Sequence, residues 1–190
     1  MRIISGIFRG RVLKTIQGPG YRPAMSRVRE ALFSMLESRG VVWADSIALD
    51  LFAGSGSLAF ECLSRGAKET LLVENSAQAV KNLEQNIKSL GLDNGQCQIR
   101  HEDVLKVLAK RSLKTYDIVF IDPPYGKNLL IPTLNALLRQ TWVGESSIIT
   151  AEVEANLKFD STSAHAQLEV LTERNFGQTR VILWQVTTKD

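Results

Sequence analysis

Apolar residues recur along this chain in two rhythms. Over residues 26–39, Val28, Ala31, Leu32, Met35 and Leu36 fall at helical spacing, which predicts an amphipathic helix with Ser26 as a capping residue. Its opposite face carries Arg27, Glu30 and Ser34, and Arg27 and Arg29 are candidates for phosphate contact. From Ser46 onward short apolar runs at 47–51, 70–74, 98–100 and 116–122 read as strands, separated by helical stretches at 56–65, 78–90 and 104–111. Val80, Leu83, Ile87 and Leu90 form one face of the second stretch, and Gly66 and Gly91 mark helix ends. A helix over 129–139 and a strand over 147–153 follow. The β-rich runs 167–171 and 179–185 are joined by a connection too short for a parallel crossover, so they are expected to form an antiparallel hairpin. The expected fold is a Rossmann-like α/β domain over 26–190, with a mostly parallel seven-stranded sheet closed by that hairpin.

Residues 1–25 break this pattern. Arginines alternate there with Gly6, Gly10, Gly18, Pro19, Gly20 and Pro23, and the scattered apolar residues predict a small hairpin or extended basic arm. Net charge is +3, but residues 1–39 hold eight basic side chains against Glu30 and Glu37. A basic segment on a mildly acidic remainder suits a polyanionic partner, because phosphate contacts supply most non-specific nucleic-acid affinity. No apolar run is long enough for a membrane helix and the N-terminus lacks a secretory apolar region, so a cytoplasmic protein is expected. Cys62 and Cys97 lack CxxC spacing, and His101 and His165 stand apart, which gives no basis for a disulfide framework or a metal site.

Chemistry concentrates at the ends of the predicted strands. Asp50-Leu51-Phe52-Ala53-Gly54-Ser55-Gly56 runs from a strand through glycines into a helix, a turn that brings backbone close to a nucleotide-like ligand. Gly54-x-Gly56-x-x-Ala59 with Glu74 at the end of the next strand also satisfies a dinucleotide fingerprint, so a nicotinamide-dependent oxidoreductase is a rival reading. Asp50 opposes it, since a carboxylate at that turn repels a pyrophosphate but suits the ammonium and sulfonium of S-adenosylmethionine. Asp103 follows the third strand, where it can accept an adenine amine, cap the next helix, or do both. Asp122-Pro123-Pro124-Tyr125 follows the fourth strand. There the Asp122 carboxylate and the Pro123 carbonyl can accept the hydrogens of an exocyclic amine and direct its lone pair at a methyl group, with Tyr125 stacking on the base.

Taken together, these residues resemble the class I S-adenosylmethionine-dependent methyltransferases, whose amine-methylating members carry [DNS]-P-P-[YF] after strand four. The chain is more closely similar to the bacterial 16S ribosomal RNA guanine-N2 methyltransferases of the RsmD type. The shared features are Arg-Ile-Ile-x-Gly-x-Phe-Arg-Gly-Arg at residues 2–11, Arg22-Pro23, the run from Arg27 to Phe33, and the motifs at Asp50 and Asp122. Ala24-Met25-Ser26 stands where the family often has Thr-x-Asp. The resemblance implies cofactor binding by Asp50, Phe52, Gly54, Gly56, Glu74, Asn75 and Asp103, and catalysis around Asp122, Pro123, Pro124 and Tyr125. The basic segment makes Arg9, Arg11, Arg22, Arg27 and Arg29 the expected RNA contacts, with S-adenosylhomocysteine as product and no metal. The resemblance further implies a monomer acting on 16S RNA within the 30S subunit or an assembly intermediate. The readings that compete with it are a DNA adenine or cytosine amine methyltransferase, the nicotinamide enzyme, and a non-catalytic RNA-binding module.

Overall fold

Parallel strands buried on both faces need continuous apolar sequence, and the central strands supply it. In the computed structural model, which describes residues 1–15 and 26–187, β1 (Ile47–Leu51), β2 (Glu69–Glu74), β3 (Cys97–His101), β4 (Ile118–Ile121) and β5 (Ile148–Glu154) pair in parallel. The antiparallel β6 (Leu168–Phe176) and β7 (Thr179–Val186) complete a sheet of order β3-β2-β1-β4-β5-β7-β6. The order reverses between β1 and β4, opening a crevice at their C-terminal ends. Crossover helices are α2 (Ser57–Arg65), α3 (Ala77–Leu90), α4 (Val104–Leu108) and α5 (Leu130–Arg139). Among the described residues no helix is long and apolar enough to cross a membrane.

Each face of the sheet has its own core. Leu49, Leu51, Val119, Ile121, Ile149 and Ala151 pack with α4 and α5 residues such as Val107, Leu134 and Leu137. On the other face Ala48, Ile118, Phe120 and Ile148 meet Val28, Leu32, Phe33 and Leu36 of the leading helix α1 (Ser26–Ser38). Phe33 sits with ring centroids 5.3 Å from Trp43 and 5.9 Å from Phe120, so α1 is built into the domain rather than laid upon it. Ser26, the first helical residue among those described, lies within the helix and is not its cap. Gly66 and Gly91 do end their helices, at φ 108° and 72°.

Residues 1–15 pack onto α2 and α3. An antiparallel bridge joins Arg2 to Val12, and Ile3 and Leu13 are buried with Phe60, Leu63 and Leu83. The Ile4 and Ser5 N–H groups donate to the Glu61 carboxylate at 2.8 and 2.9 Å, and Lys14 N–H donates to Asn86 Oδ1 at 2.8 Å. Gly6, at φ 81°, lies so near α2 that a Cβ there would fall 1.7 Å from the Ser64 carbonyl oxygen.

Three elements differ from expectation. β6 runs to Phe176, well past residue 171, and the hairpin closes through Gly177 and Gln178 alone. Its polar stretch Thr172–Asn175 is tolerated because β6 is an edge strand, with a bulge between Val170 and Thr172. β4 is shorter than 116–122, since Tyr116 N–H donates to the Trp142 carbonyl instead of the ladder, at 2.9 Å. The helix expected over 104–111 stops at Leu108, and beyond it the Lys110 carbonyl accepts the Trp142 indole N–H at 2.9 Å.

Candidate active site

The crevice is a cleft of about 1220 Å³ bordered by the C-terminal ends of β1, β2, β4 and β5, the start of α1 and the β6–β7 turn. At its floor the β1–α2 turn uses unusual backbone. Phe52 is left-handed at φ 63°, followed by Gly54 at 54° and Gly56 at 73°. A non-glycine residue in that region stores strain that the surrounding structure must hold. At Gly56 a Cβ would lie 2.5 Å from Phe60, 2.7 Å from Leu83 and 3.0 Å from Leu72, so its bareness lets α2 and α3 close on β2.

Glu74 ties this turn to the next one. Its two carboxylate oxygens accept Gly54 N–H at 2.8 Å and Ser76 N–H at 2.7 Å, which leaves lone pairs for a ligand's hydroxyls. Asp50 is buried and accepts Ala59 N–H at 3.2 Å. Burial pushes its carboxyl well above the usual range, Asp122 and Glu74 push the same way, and the Ala59 N–H opposes them. Asp103 is exposed at the cleft edge and caps α4 by accepting Lys106 N–H at 3.2 Å, while Asn75 lines the same wall.

On the other side of the switch point, the loop after β4 is tethered to β5 and β7. Gly126 N–H donates to Glu154 Oε1 at 2.8 Å, and the Tyr125 hydroxyl lies 3.2 Å from Thr179 Oγ1. Asp122, Pro123, Pro124 and Tyr125 all line the cleft. Burial pushes the Asp122 carboxyl up to about 7 and raises the Tyr125 phenol as well. All eleven expected cofactor and catalytic residues except Gly56 thus border one cavity, and Gly56 stands immediately behind the turn.

Two features of the site escaped the sequence reading. Glu152 of β5 lines the cleft at 5% exposure, and its Oε1 has no hydrogen-bond partner among the described residues. Its signal was an acid near the end of an otherwise apolar central strand. The turn Phe176 to Thr179 lines the cleft as well, where the sequence pattern predicts a longer loop over 172–178.

The arginines divide. Arg9, Arg11 and Arg27 are exposed, Arg27 lines the cleft, and Arg11 donates to the Ser89 carbonyl. Arg22 lies outside the described residues. Arg29 is not a surface residue: it is 1% exposed, donates to the Arg2 carbonyl at 2.6 Å, and lies 3.9 Å from Glu61. It sits on the buried side of α1 beside Val28, where it is a counter-charge for Glu61 and Glu152 and has no route to phosphate.

Known proteins resemble this chain in sequence and in fold. The family model described as "Conserved hypothetical protein 95" matches residues 1–185. "Ribosomal RNA small subunit methyltransferase D" of Escherichia coli strain K12 is 35% identical over 185 residues, covering 97% of this chain and 89% of the relative. The Haemophilus influenzae protein of the same name is 35% identical over 155 residues, or 81% of this chain and 79% of the relative. A solved Escherichia coli structure, "Putative methyltransferase yhhF", superposes with a TM-score of 0.84 at 34% identity, covering 100% of this chain and 99% of that one. The seven-stranded fold is that of the class I methyltransferases. Matched from residue 1 to 185 and similar to its relatives over nearly its whole length, the chain belongs to the Conserved hypothetical protein 95 family.

Proposed function

We propose that this chain transfers a methyl group from S-adenosylmethionine to the exocyclic N2 amine of a guanine in small-subunit ribosomal RNA. The observation that carries the reading is the meeting in one cleft of Asp122–Tyr125 with the acid-lined β1–α2 turn. Support for the substrate comes from the relatives named as small-subunit ribosomal RNA methyltransferases, matched over nearly the full chain.

The cleft residues fit the cofactor. Asp50 is buried and held above its ordinary range, and a cationic ammonium beside it would stabilise its charged form. Glu74, already oriented by two backbone N–H groups, offers its remaining lone pairs to a ribose diol. Asn75 and Asp103 lie on the same wall and suit the adenosine end. When bound, S-adenosylmethionine supplies an electrophilic methyl on sulfur and leaves as S-adenosylhomocysteine.

The amine of guanine is a weak nucleophile because its lone pair is delocalised. Asp122 and the Pro123 carbonyl accept its two hydrogens, which favours a pyramidal nitrogen aimed at the methyl. Held by Asp50, Glu74, Asn75 and Asp103, the cofactor would supply the methyl group, and the proton that the amine nitrogen releases on accepting it would pass to Asp122. A carboxyl lifted by burial is suited to take it. Tyr125, fixed by Thr179, stacks on the base. Arg27 at the cleft and exposed Arg9 and Arg11 of the N-terminal segment hold the phosphates, and a base in paired structure must be flipped to enter. The 30S subunit or its assembly intermediate is the form of RNA we assign.

Tritium transfer from methyl-labelled S-adenosylmethionine to unmodified 30S subunits, free 16S RNA and duplex DNA in parallel tests this. Label in ribosomal RNA supports the reading. Label in DNA alone, or none despite cofactor binding, refutes it.

A further inference from the structure

Glu152 is the one cleft carboxylate that the mechanism above does not use. The β4–β5 ladder pairs Phe120 with Thr150 and Ile121 with Ala151, so continuing that register sets Asp122, the residue after β4, beside Glu152 of β5, close enough for their charges to interact. Both lie on the sheet face covered by α1, in the row that continues from Asp50 and Phe120. Glu152 is 5% exposed, it lines the cleft, and its Oε1 is buried without a hydrogen-bond partner among the described residues. A buried acceptor left without a donor costs free energy unless something else completes it.

The chemistry of the bases says what does. On guanine, the ring N1–H is a donor immediately beside the N2 amine. On adenine and cytosine, the ring nitrogen beside the exocyclic amine is unprotonated and presents a lone pair. A carboxylate next to the amine-binding Asp122 therefore attracts guanine and repels the other two. We infer that Glu152 is the specificity-determining residue of this site, accepting the guanine N1–H while Asp122 and Pro123 hold the adjacent amine. The inference rests on the guanine-amine reading given above.

The surroundings of Glu152 agree with that role. Burial pushes its carboxyl up, Asp122 just after β4 and Asp50 from β1 add to the push, and Arg29 from α1 opposes them. A ring N–H donated to the carboxylate would stabilise the charged form in the same sense as Arg29. Glu152 also faces Val181 of β7 across the ladder, which offers it no polar partner.

The test exchanges a donor for an acceptor on both sides. The base 2-aminopurine keeps the 2-amine but has a lone pair at N1, and Glu152→Gln supplies an amide N–H that can donate to it. The methylated nucleotide is first mapped with wild-type enzyme on 30S subunits. Subunits are then reconstituted with RNA ligated to carry guanine or 2-aminopurine at that position.

Wild-type enzyme is expected to prefer guanine by about 10- to 100-fold in kcat/KM, the scale of one base-edge contact. Glu152→Gln is expected to lose about 10- to 100-fold on guanine and to shift the guanine-to-2-aminopurine ratio by at least about 10-fold. Its Kd for S-adenosylmethionine, measured by calorimetry, is expected to stay within about 2-fold of wild type. Equal losses on both bases, unchanged guanine activity, or a weakened cofactor Kd would each overturn the inference. Should Glu152→Gln fail to fold, wild-type enzyme that methylates both bases equally well overturns it alone. Wild-type enzyme that methylates no guanine in 30S subunits refutes the underlying function instead, and the two failures are thereby distinguished.

Discussion

Glu61 and Glu152 are both buried, at 0% and 5% exposure, and they are treated in opposite ways. Glu61, on α2, accepts Ile4 N–H at 2.8 Å and Ser5 N–H at 2.9 Å, and pairs with Arg65 at 3.1 Å and Arg29 at 3.9 Å. Glu152, on β5, has a buried oxygen with no hydrogen-bond partner among the described residues and stands beside a second acid, Asp122. A buried charge whose donors are supplied by its own fold fastens parts together, and Glu61 fastens the N-terminal segment and α1 to α2. A buried acid without internal donors is costly, and such cost collects where a ligand completes the contact.

The comparison breaks most sharply at Glu61. Glu61→Ala removes the acceptor of two backbone N–H groups and the ion-pair partner of Arg29, while Arg65 keeps Glu37, and unfolding free energy is expected to drop by about 3–5 kcal/mol in urea titration. At the cleft the penalty should move from stability to rate. Asp122→Ala is expected to lower turnover by about 100- to 1000-fold with little change in melting temperature, and calorimetry should show cofactor affinity within about 2-fold of wild type.

Acidity sharpens the contrast. Asp50, Asp122 and Glu152 are all raised in the folded protein, so the native state holds protons that the unfolded chain has released. Their stabilising contribution is full below the ordinary carboxyl range and is lost as pH rises through the folded values, so stability should decline from about pH 4 to about pH 8. Chemical denaturation at several pH values checks this, and Glu152→Gln should flatten the decline. Over the same window kcat/KM should rise as Asp122 ionises near 7, because that ratio reports the free enzyme. The smallest effect is expected at the rim. Arg27→Ala should reduce the salt dependence of RNA binding by about one phosphate contact, a slope change of about 0.7–0.9 in log Kd against log salt, without altering turnover at saturating RNA.

The order of strands and helices was legible because buried parallel strands must be written as apolar runs and amphipathic helices as periodic ones. The β1–α2 turn and Asp122–Tyr125 were legible because each is written as particular residues at consecutive positions. What escaped was set by tertiary contact. Arg29 looks like its exposed neighbour Arg27 until the helix is docked and one of them faces Glu61 and Glu152. Glu152 acquires meaning only when β5 is aligned beside β4, a register that no local pattern encodes. The tip of the C-terminal hairpin was misjudged because an edge strand can carry polar residues on both faces.

Nucleoside mass spectrometry of 30S RNA, digested after incubation with this protein and S-adenosylmethionine, tests the central claim most directly. The account predicts N2-methylguanosine as the new nucleoside, formed by wild-type protein and absent with Asp122→Ala. A methyl group found on an adenine or cytosine amine, or an equal yield from Asp122→Ala, would contradict it.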